Sequence, residues 1–240
     1  MSKRTGLGDR LYWGTADLSG DVGSVQTLAT PRAVLGVTGI DKDAYERILG
    51  LADGQVVFAS FWNDAGNVPQ LRSMPDADVI TSYYAGTAIG NAAASITAKK
   101  SDQGVNRGED GSLVLSTSAQ ANGYPLEWGV QLTNGKQTFA SSGTAAPVDY
   151  GAASNFGGVA YLHVFSIASG TATVKVQHSS DNSTYADLIT FTAAPAATSE
   201  RKATAAITTT VNRYTSVTIT GTFTNLVCAV QFVRYPTSQT

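Results

Sequence analysis

Apolar and polar residues follow the pattern of β-strands along most of the chain. Short runs rich in Val, Ile, Thr, Tyr and Phe recur between clusters of Gly, Asn, Asp and Pro. Apolar and polar positions alternate clearly in Thr173–His178 and in Ser216–Thr220, so that each strand would have one apolar and one polar face. Repeated short strands separated by turn residues are typical of sandwiches and barrels. The sequence therefore predicts a mainly β protein.

The predicted strands fall into two groups separated by a region poor in strand-forming residues. The first group lies near 9–15, 24–28, 32–38, 55–61, 78–84, 94–99, 112–117, 126–132 and 137–140. The second group lies near 159–167, 171–178, 185–191, 202–209, 213–220 and 226–235.

One segment, Asp41–Gly50, has the pattern of a short helix. Asp41 is a candidate N-cap, and acidic residues occupy the first turn. Ala44, Ile48 and Leu51 recur at helical spacing. We expect this helix to flank a sheet.

The segment between Ala140 and Gly158 is small, Gly-rich and nearly uncharged, as expected of a linker. We therefore predict a β domain over residues 1–145, a linker over 146–157, and a smaller β-sandwich over 158–240.

Few charges are present for a protein that we expect to be soluble. Hydrophobic residues make up 42% of the chain and charged residues only 14%, against roughly 25% charged residues in typical soluble domains. Part of the surface could therefore be covered by a partner. A β-sandwich with outer faces rich in Thr and Ser would explain the same composition.

The charge distribution gives no global signal for nucleic-acid binding. The formal net charge is −2 and the pI is about 5.6. Residues 1–150 carry 11 Lys+Arg against 15 Asp+Glu, a net of −4, whereas residues 151–240 carry 5 against 3, a net of +2. Acidic residues are thus concentrated in the first part of the chain.

Cysteine usage and hydropathy bound the location. Cys228 lies in the apolar run Leu226–Val230, where we expect a buried strand residue, and a single cysteine forms no disulfide within the chain. No apolar stretch follows the basic residues near the start, and no segment approaches the length of a membrane span. We expect a product made in the cytoplasm, without membrane insertion.

Candidate catalytic groups are sparse. The two histidines, His163 and His178, lie in predicted strands without Cys or carboxylate ligands at zinc spacing. The carboxylate pairs at 41/43, 76/78 and 109/110 fit turns and helix caps, although the sequence leaves open that folding brings together the two facing carboxylates of a glycosidase. The loop Lys99–Asp110 departs from calcium-loop spacing and is interpreted as a hairpin connection.

Known phosphate and nucleophile motifs are also absent from the sequence. It contains neither a Gly-x-x-x-x-Gly-Lys-Ser/Thr loop nor a Gly-x-Ser-x-Gly elbow. Trp13, Trp62 and Trp128 could stack on sugars or bases, but apolar neighbours favour packing or subunit contact. We therefore predict a protein that is not an enzyme, with no cofactor and no metal.

Three segments of the first part of the chain carry a resemblance to a known family. They are Leu11–Val22, with its Leu18-Ser-Gly20 turn; Thr38–Gly54, from a Thr-Gly turn to an Asp-Gly turn; and Gln55–Trp62, a central strand. The order of these elements resembles that of the major tail tube proteins of long-tailed (siphovirus-type) bacteriophages. Arg107–Val114 and Gly123–Gly129 continue the resemblance, which covers about residues 9–142.

The resemblance implies a structural virion protein. Members of this family form hexameric rings, whose inner sheets join into a tube through which DNA leaves the virion. The expected partners are the protein itself and the tape measure, tail terminator and tail tip proteins, with DNA passing through without specific binding. Residues 158–240 resemble the immunoglobulin-like or jelly-roll modules that some phages append as decoration.

Two pairs of residues are candidates for roles in such a tube. Asp17 and Asp21 could face the lumen, where acidic groups would not trap phosphates. Gly20 and Gly23 lie in the Gly-interrupted segment Thr15–Pro31, which could be a hairpin that clamps one ring to the next or an ordinary surface loop.

Three alternatives stay open at this point. A carbohydrate-binding or receptor-binding β-sandwich would have affinity for a glycan. A capsid-decorating or tail-terminator protein would keep the virion location and change the role. An enzyme would require carboxylates that folding brings together.

Overall fold

The computed structural model describes residues 5–74 and 76–236. Strands account for 57% of the protein and helix for 2%, which confirms the mainly β fold. In chain order the strands are β1 Arg10–Trp13, β2 Ala16–Asp17, β3 Val22–Ala29, β4 Arg32–Gly36, β5 Arg47–Ala52, β6 Gln55–Phe61, β7 Val79–Tyr84, β8 Ala92–Arg107, β9 Leu113–Ala121, β10 Glu127–Gln131, β11 Gln137–Phe139, β12 Gly143–Thr144, β13 Val148–Asp149, β14 Gly158–Ser179, β15 Ala186–Thr190, β16 Thr198–Ala203 and β17 Tyr214–Arg234. A single helical turn, α1, spans Val68–Leu71.

The chain divides into two compact units, each built from separate segments. Unit 1 comprises Met1–Gly20, Ile80–Ser95 and Glu127–Thr240, and unit 2 comprises Asp21–Val79 and Ile96–Leu126. This division differs from the sequence-based boundaries at residues 145 and 158. Strand β8 contributes its first residues to unit 1 and its remaining residues to unit 2.

The centre of unit 1 is a long antiparallel pair of strands. β14 and β17 pair from Gly158 opposite Arg234 to Ser179 opposite Tyr214, with a register shift between Val164 and Ser166. On the other edge of β14, β16 pairs with its first part and β15 with its last part. Each of the two long strands covers what the sequence predicted as two strands, because pairing continues through the predicted breaks, where Gly170 lies opposite Phe223 and Ala172 opposite Gly221.

The other edge of β17 explains why unit 1 begins well before residue 158. Strands β10, β11, β12 and β13 pair one after another along this edge. The predicted linker over 146–157 contains β13 and the buried Ser154, whose backbone bridges to Val211. Val148 and Asp149 of this segment thus form part of a sheet, where their pairing with Thr215 and Tyr214 satisfies backbone groups of β17.

A continuous apolar core fills unit 1. It includes Leu162, Val174, Ile219 and Phe232 together with the predicted buried strand residue Cys228. The first seven residues of β14 are all buried, so both faces of that part of the strand are covered. Both histidines lie on β14, and His163 is fully buried.

Unit 2 is organised around a four-stranded antiparallel sheet in the order β3, β6, β9 and the second part of β8. Burial alternates along β6, where Val56, Phe58 and Ser60 face inward. The turn α1 buries Val68 and Leu71. The predicted hairpin connection over 99–110 is wrong for most of its length, because β8 continues as a paired strand to Arg107.

The predicted helix over Asp41–Gly50 is also wrong. Residues 32–36 and 47–52 form a two-stranded antiparallel hairpin, β4 and β5, and this hairpin pairs with no other strand of the described chain. Near the tip, the backbone N–H groups of Val37 and Glu46 donate to the Glu46 carbonyl and to the Thr38 hydroxyl, respectively. Pairing between β4 and β5 thus supplies hydrogen bonds that stabilise the hairpin more than three apolar residues at helical spacing would stabilise a helix.

Candidate functional site

The four-stranded sheet of unit 2 has two open edges within the described residues. β3 pairs on one side only, with β6, and the part of β8 from Asp102 to Arg107 pairs only with β9. Open edges present unpaired backbone N–H and C=O groups that can pair with another chain. Because the two edges belong to opposite sides of one sheet, the sheet can extend in both directions.

One face of this sheet is covered and the other is partly open. Residues directly opposite each other on neighbouring strands share a face. Ala59 and Ser116 form one such pair, and Val57 and Ser118 form another. The open face carries mainly small, hydroxyl and amide side chains, which are Ser24, Thr27, Gln55, Val57, Ala59, Ser116, Ser118 and Gln120. On β8, Lys99 and Asp102 lie opposite Gln120 and Ser118 and therefore share this face. The face is therefore polar, with few charges.

A groove of about 220 Å³ indents the open face beside β3. Gly23, Ser24, Ala59, Phe61 and Val114 contribute to its wall. A Cβ atom at Gly23 would lie 3.0 Å from the ring of Phe61. The absence of a side chain at this position therefore lets the exposed Phe61 ring rest against the backbone of β3.

A second feature of unit 2 is the hairpin formed by β4 and β5, here called the arm (residues 32–52). Every residue from 31 to 49 is exposed. Large apolar side chains nevertheless occur along its whole length, and they are Val34, Leu35, Val37, Ile40, Tyr45, Ile48, Leu49 and Leu51. A contiguous exposed apolar surface of this kind typically marks an interaction site.

The base of the arm is anchored in unit 2. The backbone N–H of Asp53 donates to the carbonyl of Pro31 at 2.8 Å, and the Thr30 hydroxyl donates to the carbonyl of Leu126 at 3.2 Å. Gly54 lies so close to its neighbours that a Cβ would be 2.7 Å from the Leu126 nitrogen. The arm therefore leaves the sheet at a fixed point.

Comparisons with known proteins give only weak likenesses. No family model matches the sequence, and no curated protein matches it. Among solved structures, the Dit (gp 19.1) protein of phage SPP1, described as a paradigm of hub adsorption apparatus in phages that infect Gram-positive bacteria, has 10% identity and a TM-score of 0.38 over 95% of this chain and 99% of its own.

Two structures of a phage P2 baseplate in its activated conformation give similar values. The structure with Ca has 12% identity and a TM-score of 0.36, and the one with Sr has 9% identity and a TM-score of 0.35. Each match covers 95% of this chain and 99% of the other. TM-scores this low do not establish a shared fold.

The two candidate lumen acids lie in different units. Asp17, in unit 1, accepts from the Lys136 ammonium at 2.8 Å and from the Ser19 hydroxyl at 2.6 Å. Desolvation opposes the charged form of Asp17, but these hydrogen bonds dominate and lower its pKa. Asp21, in unit 2, accepts from the side-chain amide of Asn63 at 2.8 Å. Both carboxylates therefore have local structural partners, and their lumen placement stays a prediction.

The two candidate hairpin glycines also have different surroundings. Gly20 lies in the turn before β3, with open space around the position of a Cβ. Gly23 lies in β3, which pairs with β6. The exposed hairpin of this unit is the arm, further along the chain than the predicted segment Thr15–Pro31. Its signal in the sequence was the β-branched and Leu-rich content of residues 33–37 and 48–51.

The three candidate tryptophans have different surroundings. Trp13 is buried, whereas Trp62 and Trp128 are exposed and belong to different units. Among residues 5–74 and 76–236, no cluster of three or more His, Cys, Asp or Glu side chains could hold a metal ion. Within the same residues, no helix is long and apolar enough to span a membrane.

Proposed function

We propose that this chain is a structural protein of a bacteriophage tail that assembles with copies of itself into rings, and that the rings stack into a tail tube. The resemblance over residues 9–142 is the reason for proposing the tail tube family. The pair of open edges on the unit 2 sheet is the observation that carries the mechanism. The virion tail is accordingly the proposed location, after assembly in the host cytoplasm.

Two open edges on one sheet fit a ring. If the β3 edge of one copy pairs with the Asp102–Arg107 edge of the next, every copy uses two different surfaces, which is a heterologous contact. Such a contact closes into a ring when the rotation between copies fits, and a closed ring leaves no edge unpaired. An isolated copy instead leaves both edges exposed to unwanted pairing.

The open face of the same sheet suits a surface along which DNA moves. A basic lining would bind phosphates through counterion release and hold the DNA. This face instead consists largely of Ser, Thr, Gln and small apolar residues. Its cation Lys99 lies 3.1 Å from the Asp78 carboxylate, which compensates the positive charge. In this proposal the joined sheets form the lumen and DNA passes without specific binding.

Further components belong to the same proposal. The tape measure, tail terminator and tail tip proteins are the other proteins that we propose as partners of the tube. No cofactor or metal is required, and the role is not enzymatic. A tail-terminator role is the nearest alternative because it would use rings that do not stack.

Electron microscopy of the purified protein across a concentration series tests the proposal. We expect hollow tubes or stacked rings. Unstacked rings would favour the terminator alternative, and monomers at every concentration would contradict self-assembly and direct attention to a carbohydrate-binding module. The matched variants are Val105→Lys, on the β8 edge, and Ile207→Lys, on an exposed loop of unit 1.

These variants separate edge pairing from a general effect of added charge. A lysine at position 105 would place a charge at the proposed junction and should prevent ring formation. The lysine at position 207 should leave the rings intact. Rings from both variants would exclude this edge from the contact.

A further inference from the structure

The arm carries apolar side chains on both of its faces. On one face Val34 lies opposite Leu49, and on the other Leu35 lies opposite Ile48. These four side chains are exposed to similar extents: 57% and 62% on the first face, and 49% and 52% on the second. A hairpin that packed on a single surface would need only one apolar face. The pattern therefore indicates that both faces of the arm are buried by a partner surface.

The polar groups of the arm are concentrated near its tip. Asp41, Asp43 and Glu46 outnumber the two cations of this region, Lys42 and the adjacent Arg47, by one. The Lys42 ammonium lies 3.4 Å from Asp41 and 4.0 Å from Glu46. The tip therefore has an excess of negative charge, which favours a partner surface that is not acidic.

The two units differ in the sign of their charge. Counted over their sequence segments, unit 1 carries 9 Lys+Arg against 7 Asp+Glu, a net of +2, and unit 2 carries 7 against 11, a net of −4. An acidic tip would be repelled by unit 2 of another copy and attracted by unit 1. Among the described cations of unit 1, Arg10 and Arg234 have no carboxylate partner within 4.0 Å.

We propose that the arm of each copy inserts between unit 1 surfaces of other copies of this chain, so that both of its apolar faces are buried in the assembly. This proposal rests on the proposed self-assembly and identifies the partner surface for the arm. Since the edges of the unit 2 sheet join copies within a ring, the arm provides a second, independent contact between copies. The anchored base at Thr30 and Asp53 holds the arm in position for this insertion.

Two double variants test whether both faces are used. Val34→Thr with Leu49→Thr alters the first face, and Leu35→Thr with Ile48→Thr alters the second. Threonine keeps β-propensity while it removes apolar surface. Since all four side chains are exposed in the single copy, both variants should melt at the wild-type temperature. We expect each variant to raise the protein concentration needed for assembly at least tenfold. If only one double variant did so, the arm would lie on a single surface and the proposal would be overturned.

Site-directed photo-crosslinking identifies the partner surface. Ile40→Cys at the exposed tip can be labelled with benzophenone maleimide, because Cys228 is buried and desolvation raises the pKa of its thiol to about 12. Ile207→Cys provides the matched control. We expect crosslinks from position 40, but not from position 207, to peptides of unit 1 in a second copy, identified by mixing isotope-labelled and unlabelled protein before mass spectrometry.

The outcomes distinguish the arm contact from the tube. Tubes with crosslinks to unit 2, or without intermolecular crosslinks, would overturn the arm proposal and leave the proposed function standing. Crosslinks to unit 1 in small oligomers, with no rings or tubes at any concentration, would support the arm contact and contradict the tube. Monomers without crosslinks would contradict both.

Discussion

The guanidinium of Arg201 in β16 donates to the carboxylate of Glu127 in β10, with Nη2 3.0 Å and Nε 3.2 Å from Oε2. The Tyr161 hydroxyl donates to the same oxygen and the Tyr235 hydroxyl to Oε1. Burial, together with the neighbouring carboxylate, raises the pKa of both tyrosines, which keeps them as donors. Four strands or strand ends of unit 1 thus meet at one buried carboxylate.

Removal of one partner of this ion pair should destabilise unit 1 strongly. Arg201→Met would leave Glu127 as a buried carboxylate without its cation, at a cost of about 3–5 kcal/mol in the free energy of unfolding. Adding Glu127→Gln should recover part of that loss, because the uncompensated charge is then absent. Urea unfolding of the two single variants and the double variant measures the coupling, and strictly additive losses would show that the two charges do not stabilise each other.

His163 should make unit 1 sensitive to acid. Its Nδ1 lies 2.7 Å from the carbonyl oxygen of Gly14, which can only accept, so Nδ1 carries the hydrogen and Nε2 faces the Ser82 hydroxyl at 2.7 Å. Desolvation lowers the pKa of this imidazole to about 4, and the Gly14 hydrogen bond opposes the shift only in part. The buried ring is therefore neutral at pH 7.

The sign of the effect follows from proton uptake. Between pH 6.5 and about 4 the unfolded chain binds a proton that the folded chain does not, so stability falls as the pH falls through this range. The imidazole should contribute a loss of up to roughly 3 kcal/mol. Urea unfolding at several pH values should give a steeper loss for the wild type than for His163→Gln, and equal slopes would show that the imidazole is not buried as a neutral group.

Gly54 and Gly36 should respond differently to an added methyl group. At Gly54 a Cβ would lie 2.7 Å from the Leu126 nitrogen and 3.0 Å from Ile96 Cδ1, whereas at Gly36 no atom lies within 4 Å. We expect Gly54→Ala to lower the free energy of unfolding by about 1–3 kcal/mol through overpacking. Gly36→Ala on the arm should be close to neutral, and thermal melts of the two variants provide the comparison. A neutral Gly54→Ala would mean that Leu126 and Ile96 can move aside.

Alternation and turn residues predicted the strands well, because both depend on local sequence. β6 matches the predicted range of residues 55–61, and β4 begins at the predicted residue Arg32. The predicted helix failed because three apolar residues at helical spacing could not reveal that β4 would pair with residues 47–52. Pairing between distant strands is decided by tertiary contacts rather than by local propensity.

The candidate site was only partly accessible from sequence. Alternation in β6 and β9 identifies which residues share a face, but open edges become visible only when the pairing order is known. The sequence shows that residues 32–52 contain many apolar side chains. It does not show that these side chains are exposed, because burial depends on what packs against them. The composition of the predicted linker likewise gave no sign that Val148 and Asp149 pair with β17.

The position of β17 near the end of the chain has a consequence for synthesis. Unit 2 is complete once Leu126 has emerged from the ribosome. Unit 1 lacks β17, the strand that pairs with both β10 and β14, until Arg234 has been made. The sheet edges and the arm of unit 2 therefore exist before unit 1 can close. Under the proposed self-assembly, nascent chains on one messenger would present these surfaces while still incomplete, and neighbouring copies would make contact during translation.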